Sequence, residues 1–435
     1  MIYILLVALV LLFCFMLLFD KDVFSPACLI CESYVLAVMC AIMNIDLWGI
    51  DLSSSTIKII IIGVLAFIIP SSIFLHTYVN RVMKKSKEEV IQNGTPFLLR
   101  KSIYLFFVMV QLITLVLYFY YVVKTVGGIG NAFNISNIMN QYREGTSYGD
   151  LDSLIPAYVN QLVKISQIIA YISIYNILYK KMILKEKNNI VFLNATSIVL
   201  YLLLTLLSGG RYKMISFFIG GLIMWNIINK KISNKKFNFK NTLKITIIVL
   251  SILLIFSQTR TLVGRTNKQG FISYISTYFG GSIELLDLYM KSPIQDSNII
   301  GKESFYAINS TLSKFGIVKP YRMHLEFRSS NGIVIGNVYT ALRCFYYDFG
   351  IIGVIVLQMI LSLIWTKWYK KINNNNDIYK FDTSLLFYCM FVNCLFFNSY
   401  RDNFFSSTIS ISTLTMVFYF IIIKKLLVTQ SIKER

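Results

Sequence analysis

Five arginines stand in one polar stretch of the chain, residues 257–348: Arg260, Arg265, Arg322, Arg328 and Arg343. Glu284, His324 and Glu326 lie among them. A guanidinium offers a planar fork of donors that matches phosphate oxygens in pairs and stays charged at any physiological pH. The chemistry these residues predict is the handling of a phosphate-linked substrate. Three neighbouring side chains could move a proton. Histidine is the residue type that most often serves as general base, and His324 competes for that role with Glu326 and Asp348. A lone histidine in a polar loop is also explained as a solvated residue, and Asp348 as a cap on the helix that follows it. Further on, Asn337-Val338-Tyr339-Thr340, Arg343 and Tyr347-Asp348-Phe349-Gly350 lead into an apolar segment. Tyr339, Tyr346 and Tyr347 could stack on sugar rings, or form the aromatic belt of a membrane interface. Arg401, in the polar run Asn398-Ser399-Tyr400-Arg401-Asp402-Asn403, could join this group or snorkel from a helix end.

A second anion seat is readable at Ser208-Gly209-Gly210-Arg211. The helix predicted to start there aims free backbone N–H groups and a partial positive charge at the turn. Gly209 and Gly210 let a ligand approach the backbone closely, and Arg211 and Lys213 add full charges. An ordinary glycine turn with a snorkelling arginine reads the same residues without function. Asp150-Leu151-Asp152 matches the DxD signature of soluble glycosyltransferases, but an acidic turn before a helix explains it better. No HExxH, Walker loop or Cys/His cluster is present, so neither a metal nor a cofactor is expected.

Apolar helices must position these groups. Of the 435 residues, 56% are hydrophobic, and the mean hydropathy is +0.63. Soluble domains of this size are less apolar. Segments approaching membrane-spanning length cover residues 2–19, 25–44, 55–79, 102–123, 154–179, 190–207, 212–229, 242–256, 349–365, 382–397 and 408–423. The predicted fold is all-α: a polytopic membrane protein of about 11 transmembrane helices. It forms one integral membrane domain over residues 1–435 with one large extracytoplasmic loop.

The net charge of +21 would point a soluble protein toward nucleic acid. Here the lysines gather after the third, fifth, seventh and ninth spans and at the C-terminus. The positive-inside rule makes those regions cytoplasmic, and no nucleic-acid partner is expected. Residues 257–348, the turn at 208–211 and the run 398–403 then share the outer face, since long loops translocate largely regardless of charge. The first helix follows no basic n-region and precedes no small-residue cleavage site, so it reads as a retained span. Within the outer loop, residues 271–290 place Tyr274, Tyr278, Leu285 and Leu286 beside Glu284 and Asp287. An amphipathic helix lying on the membrane surface is expected there, because another crossing would invert every later loop. Cys28 and Cys31 form a CxxC without a second ligand pair, which packing explains.

Several short runs together resemble the oligosaccharide repeat unit polymerases, the O-antigen polymerase family called Wzy. They are Phe24-Ser25-Pro26, Gly127-Gly128-Ile129-Gly130, Ser208-Gly209-Gly210-Arg211, and the stretch from Asn337-Val338-Tyr339-Thr340 through Tyr347-Asp348-Phe349-Gly350-Ile351-Ile352-Gly353. The resemblance is spread over most of the chain and is sharpest over residues 205–355. It implies a GT-C-like glycosyltransferase of the bacterial cytoplasmic (inner) membrane, with its active site on the extracytoplasmic face. Such enzymes transfer a growing glycan from undecaprenyl pyrophosphate to a new lipid-linked repeat unit, building O-antigen, capsule or exopolysaccharide. The implied partners are the lipid-linked oligosaccharide, the membrane, a chain-length regulator and a flippase. Gly209, Gly210, Arg211, Arg260, Arg265, Arg322, Arg328, Asn337, Tyr339 and Arg343 then read as substrate-binding. His324, Glu326 and Asp348 read as catalytic. The related O-antigen ligases carry a histidine close to an Asn-aromatic-aliphatic run. Here the residue before Asn337 is Gly336, a departure that favours polymerase over ligase.

The O-antigen ligase and a lipid-linked oligosaccharide flippase or transporter are the alternatives. A transporter would place charges within its spans near the midplane. Here Lys58 and Lys164 are among the few basic residues inside predicted spans, and both lie near span ends. For a polymerase the physical demands are modest. Pyrophosphate leaves readily, so the protein must stabilise charge on the departing phosphate and orient the acceptor hydroxyl. A charged hydrogen bond contributes about 1.5–3 kcal/mol, and about 1.36 kcal/mol is tenfold in rate. Two or three well-placed arginines therefore account for several decades of rate without a metal.

Overall fold

A computed structural model describes residues 1–82, 96–127, 135–147, 153–186, 191–209, 212–233, 270–294, 299–375 and 377–430. Its helices are α1 (Ile2–Asp20), α2 (Pro26–Ile42), α3 (Ser54–Val82), α4 (Lys101–Thr125), α5 (Ile135–Ser147), α6 (Ala157–Leu178), α7 (Val191–Leu207), α8 (Tyr212–Ser233), α9 (Phe271–Lys291), α10 (Tyr306–Lys314), α11 (Ala341–Asn373), α12 (Thr383–Phe391) and α13 (Ile411–Leu427), with single turns between some of them. Strands β1 (Phe97–Leu99) and β4 (Val428–Gln430) pair antiparallel, as do β2 (Arg328–Ser330) and β3 (Ile333–Gly336). Among the described residues, five helical stretches are long and apolar enough to cross a membrane: Ile2–Asp20, Ser54–Phe74, Lys101–Thr125, Ala157–Ile183 and Ala341–Asn373. Their exposed faces carry Ile4, Leu11 and Leu18 on α1, Phe106, Met109 and Val116 on α4, and Ile352, Val356 and Leu363 on α11. Helices with apolar outer faces suit lipid, where only intrahelical pairing can satisfy the backbone. The chain is a membrane-embedded helical protein. The span expected at 242–256 lies outside the described residues.

Local chemistry explains the helix ends. Ser25 starts α2, its side chain accepting the N–H of Cys28 at 3.3 Å, and Pro26 occupies the first helical position. A proline there loses nothing, since that N–H has no helical partner. The segment expected at 349–365 is the middle of the longer α11, which breaks at Gly350 with φ 61° and ψ −156°. Only glycine adopts that conformation readily. The break separates the turns carrying Arg343 through Asp348 from the apolar remainder.

Two compact units make up the chain. The first comprises Met1–Glu89, Gln269–Asn374 and Phe391–Thr413, and the second Val90–Lys268, Asn375–Met390 and Leu414–Arg435.

In the first unit α3 packs along α11. Ser362 Oγ donates to the Phe67 carbonyl at 2.6 Å, and Thr366 Oγ1 donates to Ser71 Oγ at 2.9 Å. Interhelical bonds of this kind in membrane proteins average about 0.6 kcal/mol. The helix expected flat on the membrane surface, α9, is instead an interior helix. Every residue from 279 to 287 is buried, and a Cβ on Gly280 would lie 2.5 Å from the Ala41 nitrogen of α2. Its acidic residues face protein partners and not water. Asp287 accepts the Ser53 N–H at 2.7 Å, Ser53 Oγ at 2.8 Å and Thr56 Oγ1 at 2.6 Å at the start of α3, and pairs with Lys291 at 2.7 Å. Glu284 accepts Ser330 Oγ at 2.8 Å. Burial raises the Glu284 carboxyl above its ordinary range, while Ser330 opposes the shift. Mixed polar and apolar positions look amphipathic in sequence, but here the polar ones bind neighbouring elements.

In the second unit α4, α6 and α7 pack together. Gln111 Nε2 donates to the Ser166 carbonyl at 3.0 Å, and Tyr104 and Ser173 hydroxyls meet at 2.6 Å. Phe97 packs between Tyr179 and Phe381, with ring centroids 4.1 and 5.2 Å away.

Candidate active site

The first unit gathers several of the predicted site residues around Arg343. Thr340 caps α11 by accepting the Arg343 N–H at 3.1 Å, which sets Arg343 in the first turn. Its side chain is fully buried. Nη2 donates to both carboxylate oxygens of Glu326, at 2.9 and 2.8 Å, and Nη1 donates to Glu303. The rings of Tyr289, Tyr339 and Tyr347 surround the guanidinium at 4.4, 4.4 and 5.1 Å. Cation–π contact of this kind strengthens as water is excluded. Burial raises the Glu303 carboxyl above its usual range, and the Arg343 charge opposes that shift. Burial also pushes the Tyr289 phenol up to about 12.

Arg343 therefore differs from the substrate-binding role expected of it. Its charge is shared by two glutamates and its faces by three tyrosines, which leaves no exposed fork for a phosphate. Glu326, a favoured candidate base, is committed to the same arginine and lies 3.4 Å from Arg328. Arg328 donates to the carbonyls of Leu288 and Ser292 at the end of α9. A cation there complements the negative end of a helix dipole. Asp348 stands just before the break at Gly350, but its carboxylate is engaged by another loop and not by the helical run that follows. Its carboxylate accepts the N–H groups of Glu303 at 3.3 Å and Ser304 at 2.6 Å, fixing the turn that leads into α10. Residues 321–327 form an irregular segment in which the His324 N–H donates to the Arg322 carbonyl at 3.2 Å. His324 and Arg322 are exposed, whereas Met323 and Leu325 line a cavity.

That cavity, of about 280 Å³, is lined by Tyr306, Met323, Leu325, Asn337, Val338, Tyr339, Cys344, Arg401 and Asp402. Small-molecule sites span roughly 300–1,000 Å³, so this one is near the small end. Asn337 Nδ2 donates to the Leu325 carbonyl at 3.4 Å, and the Tyr339 hydroxyl donates to the Glu326 carbonyl at 3.1 Å. Residues 398–402 are held by a buried polar network. Tyr34 and Gln358 donate to Asn398 Oδ1 at 2.9 and 2.8 Å, and Ser33 and Ser399 exchange hydrogen bonds. Arg401 is exposed, and its guanidinium makes no hydrogen bond or ion pair among the described residues. Asp402 is buried beside it. Asn337 and Tyr339, both expected to bind substrate, thus share a cavity with an uncommitted cation.

No known family, curated protein or solved structure matches this chain.

Gly209 belongs to the second unit, where it ends α7 with φ +67° beside Arg143. An added Cβ at Gly209 would lie 3.0 Å from Arg143 Cβ, so the position admits little but glycine. Gly210, Arg211, Arg260 and Arg265 lie outside the described residues, as do Asp150 and Asp152. Among the described residues no three or more His, Cys, Asp or Glu side chains gather where they could hold a metal ion. The residue that sequence reasoning passed over is Asp402. Its signal was slight: an aspartate two residues before a Phe-Phe-Ser run, read as part of a connection.

Proposed function

We propose that this protein is a membrane glycosyltransferase that polymerises lipid-linked oligosaccharide repeat units. The growing glycan is transferred from undecaprenyl pyrophosphate to the acceptor hydroxyl of a new lipid-linked unit, as the resemblance to O-antigen polymerases implies. The observation that carries the reading is the cavity beside the start of α11. It combines an exposed guanidinium, Arg401, with an amide, Asn337, and an aromatic ring, Tyr339. Guanidinium suits pyrophosphate, and polar side chains such as an amide suit sugar hydroxyls. Of the alternatives, a transporter has less support: the committed charges of Arg343, Glu303 and Glu326 are paired with one another and do not line a path.

On this reading the cavity faces outward, with residues 257–348 extracytoplasmic and eleven spans in all. A cysteine replacing Lys314, an exposed residue at the end of α10, is then expected to react with an impermeant maleimide in intact cells. One replacing Lys185 is expected to react only after permeabilisation. Outside labelling at Lys185 contradicts the orientation.

The function is tested by deletion followed by gel analysis of surface glycan. Loss of the ladder with a single repeat unit retained supports polymerase. Long chains held on the lipid carrier mark a ligase instead, and units trapped on the cytoplasmic face a flippase.

A further inference from the structure

We infer that Asp402 is the proton acceptor of the transfer reaction, taking the acceptor hydroxyl's proton in the cavity that Arg401 opens onto. The inference rests on the polymerase reading and adds to it a residue and a step.

Geometry singles out Asp402 by what each carboxylate is already doing. Glu303 and Glu326 are bound to Arg343, and Asp348 holds the Glu303–Ser304 backbone without lining the cavity. His324 is exposed and does not line it. Asp402 lines it, only 4% exposed. Its Oδ1 accepts the N–H groups of Phe404 and Phe405, each at 3.1 Å, and its Oδ2 accepts that of Ser406 at 3.0 Å. A carboxylate has about four lone-pair sites. Three are filled, and the open one is on Oδ2. The amides thus hold the carboxyl in a fixed orientation while leaving one site able to take a proton.

The groups facing Asp402 are Arg401 on its own segment, Cys344 on α11 and Cys394 on the 393–396 turn. Burial raises its carboxyl to about 7, against the pull of the three amides and Arg401. A base is most effective when it titrates near the working pH. The amides make the residue a helix-turn cap as well, but capping alone does not require a carboxylate beside a cavity.

The step balances as follows. The acceptor oxygen forms a bond to the anomeric carbon while the bond from that carbon to the pyrophosphate oxygen breaks. The electron pair leaves with undecaprenyl pyrophosphate, which Arg401 stabilises. The hydroxyl proton passes to Asp402 Oδ2 and later to water.

The test uses full-length protein in proteoliposomes with an undecaprenyl-pyrophosphate-linked repeat unit, with the initial rate followed from about pH 5 to 9. The wild-type rate is expected to rise about tenfold per unit below pH 7 and to level above it. Asp402→Asn keeps an oxygen for capping and is expected to lower the rate per folded molecule by about 10²–10⁴-fold and to lose the bend near neutrality. An Asp402→Asn rate and profile equal to wild type overturns the inference, as does a variant that loses only folded protein and not rate. Should the variant not fold, the wild-type profile decides: a bend near 7 supports the inference and a flat profile overturns it. Failure of the wild type to lengthen any chain would instead overturn the polymerase reading itself.

Discussion

Replacing Arg343 with methionine is expected to cost the first unit about 3–5 kcal/mol of stability, the loss typical when one partner of a buried ion pair is removed. Methionine fills much of the space between the Tyr289, Tyr339 and Tyr347 rings, so the cavity left is small. The charge is the larger loss. Glu303 would be left buried without a cation, while Glu326, partly exposed, would keep only Arg328. Arg343→Lys is expected to recover only part of the loss, because one ammonium cannot donate to both glutamates and lie flat among three rings. Adding Glu303→Gln to Arg343→Met is expected to restore some stability, since a neutral amide removes one uncompensated charge. Thermal unfolding of purified protein in detergent, followed by tryptophan fluorescence, reads all four proteins. An Arg343→Met protein that melts like wild type yet cannot work would mean that Arg343 meets substrate and not its own glutamates.

Arg401→Ala is expected to have the opposite signature, with folding kept and activity lost. The side chain is exposed and makes no hydrogen bond or ion pair among the described residues, so its removal loses little inside the protein beyond the charge it sets beside Asp402. On the proposed reading it would remove one charged hydrogen-bond donor from the departing pyrophosphate. At about 1.5–3 kcal/mol, with about 1.36 kcal/mol per tenfold, the transfer rate should fall roughly 10- to 150-fold. Arg401→Lys is expected to recover little of it, because a point charge does not reproduce a two-pronged contact. Full activity in the lysine variant would show that only positive charge is needed there. Undiminished activity in the alanine variant would remove Arg401 from the site.

The sequence disclosed the fold class far better than the site. Long apolar runs are read from composition alone, and α1, α3, α4, α6 and α11 form where those runs lie. The kink at Gly350 was less visible, since a glycine in an apolar run does not announce a break. α9 differs from its expected surface position because period and polarity describe a helix without saying what it packs against. Glu284 and Asp287 looked like a water-facing stripe, and their partners Ser330, Ser53 and Thr56 are far away in sequence. The arginines were counted correctly but not by occupation. Arg343 and Arg401 are indistinguishable as letters; the difference is that two glutamates and three tyrosines fold around one and leave the other open. Asp402 was concealed because its partners are backbone N–H groups, which no side-chain motif reports.

Polymerisation is the central claim, and purified protein reconstituted with a single defined substrate tests it most directly. Proteoliposomes are supplied with a radiolabelled repeat unit on undecaprenyl pyrophosphate, with no other protein and no nucleotide sugar, and the products are separated by size. The account predicts products at whole-number multiples of the repeat unit, still lipid-linked, with one undecaprenyl pyrophosphate released for each bond formed, and both forming roughly 10- to 150-fold more slowly in Arg401→Ala. Recovery of the label as single, unextended units, under conditions where the protein is folded and inserted, would contradict it.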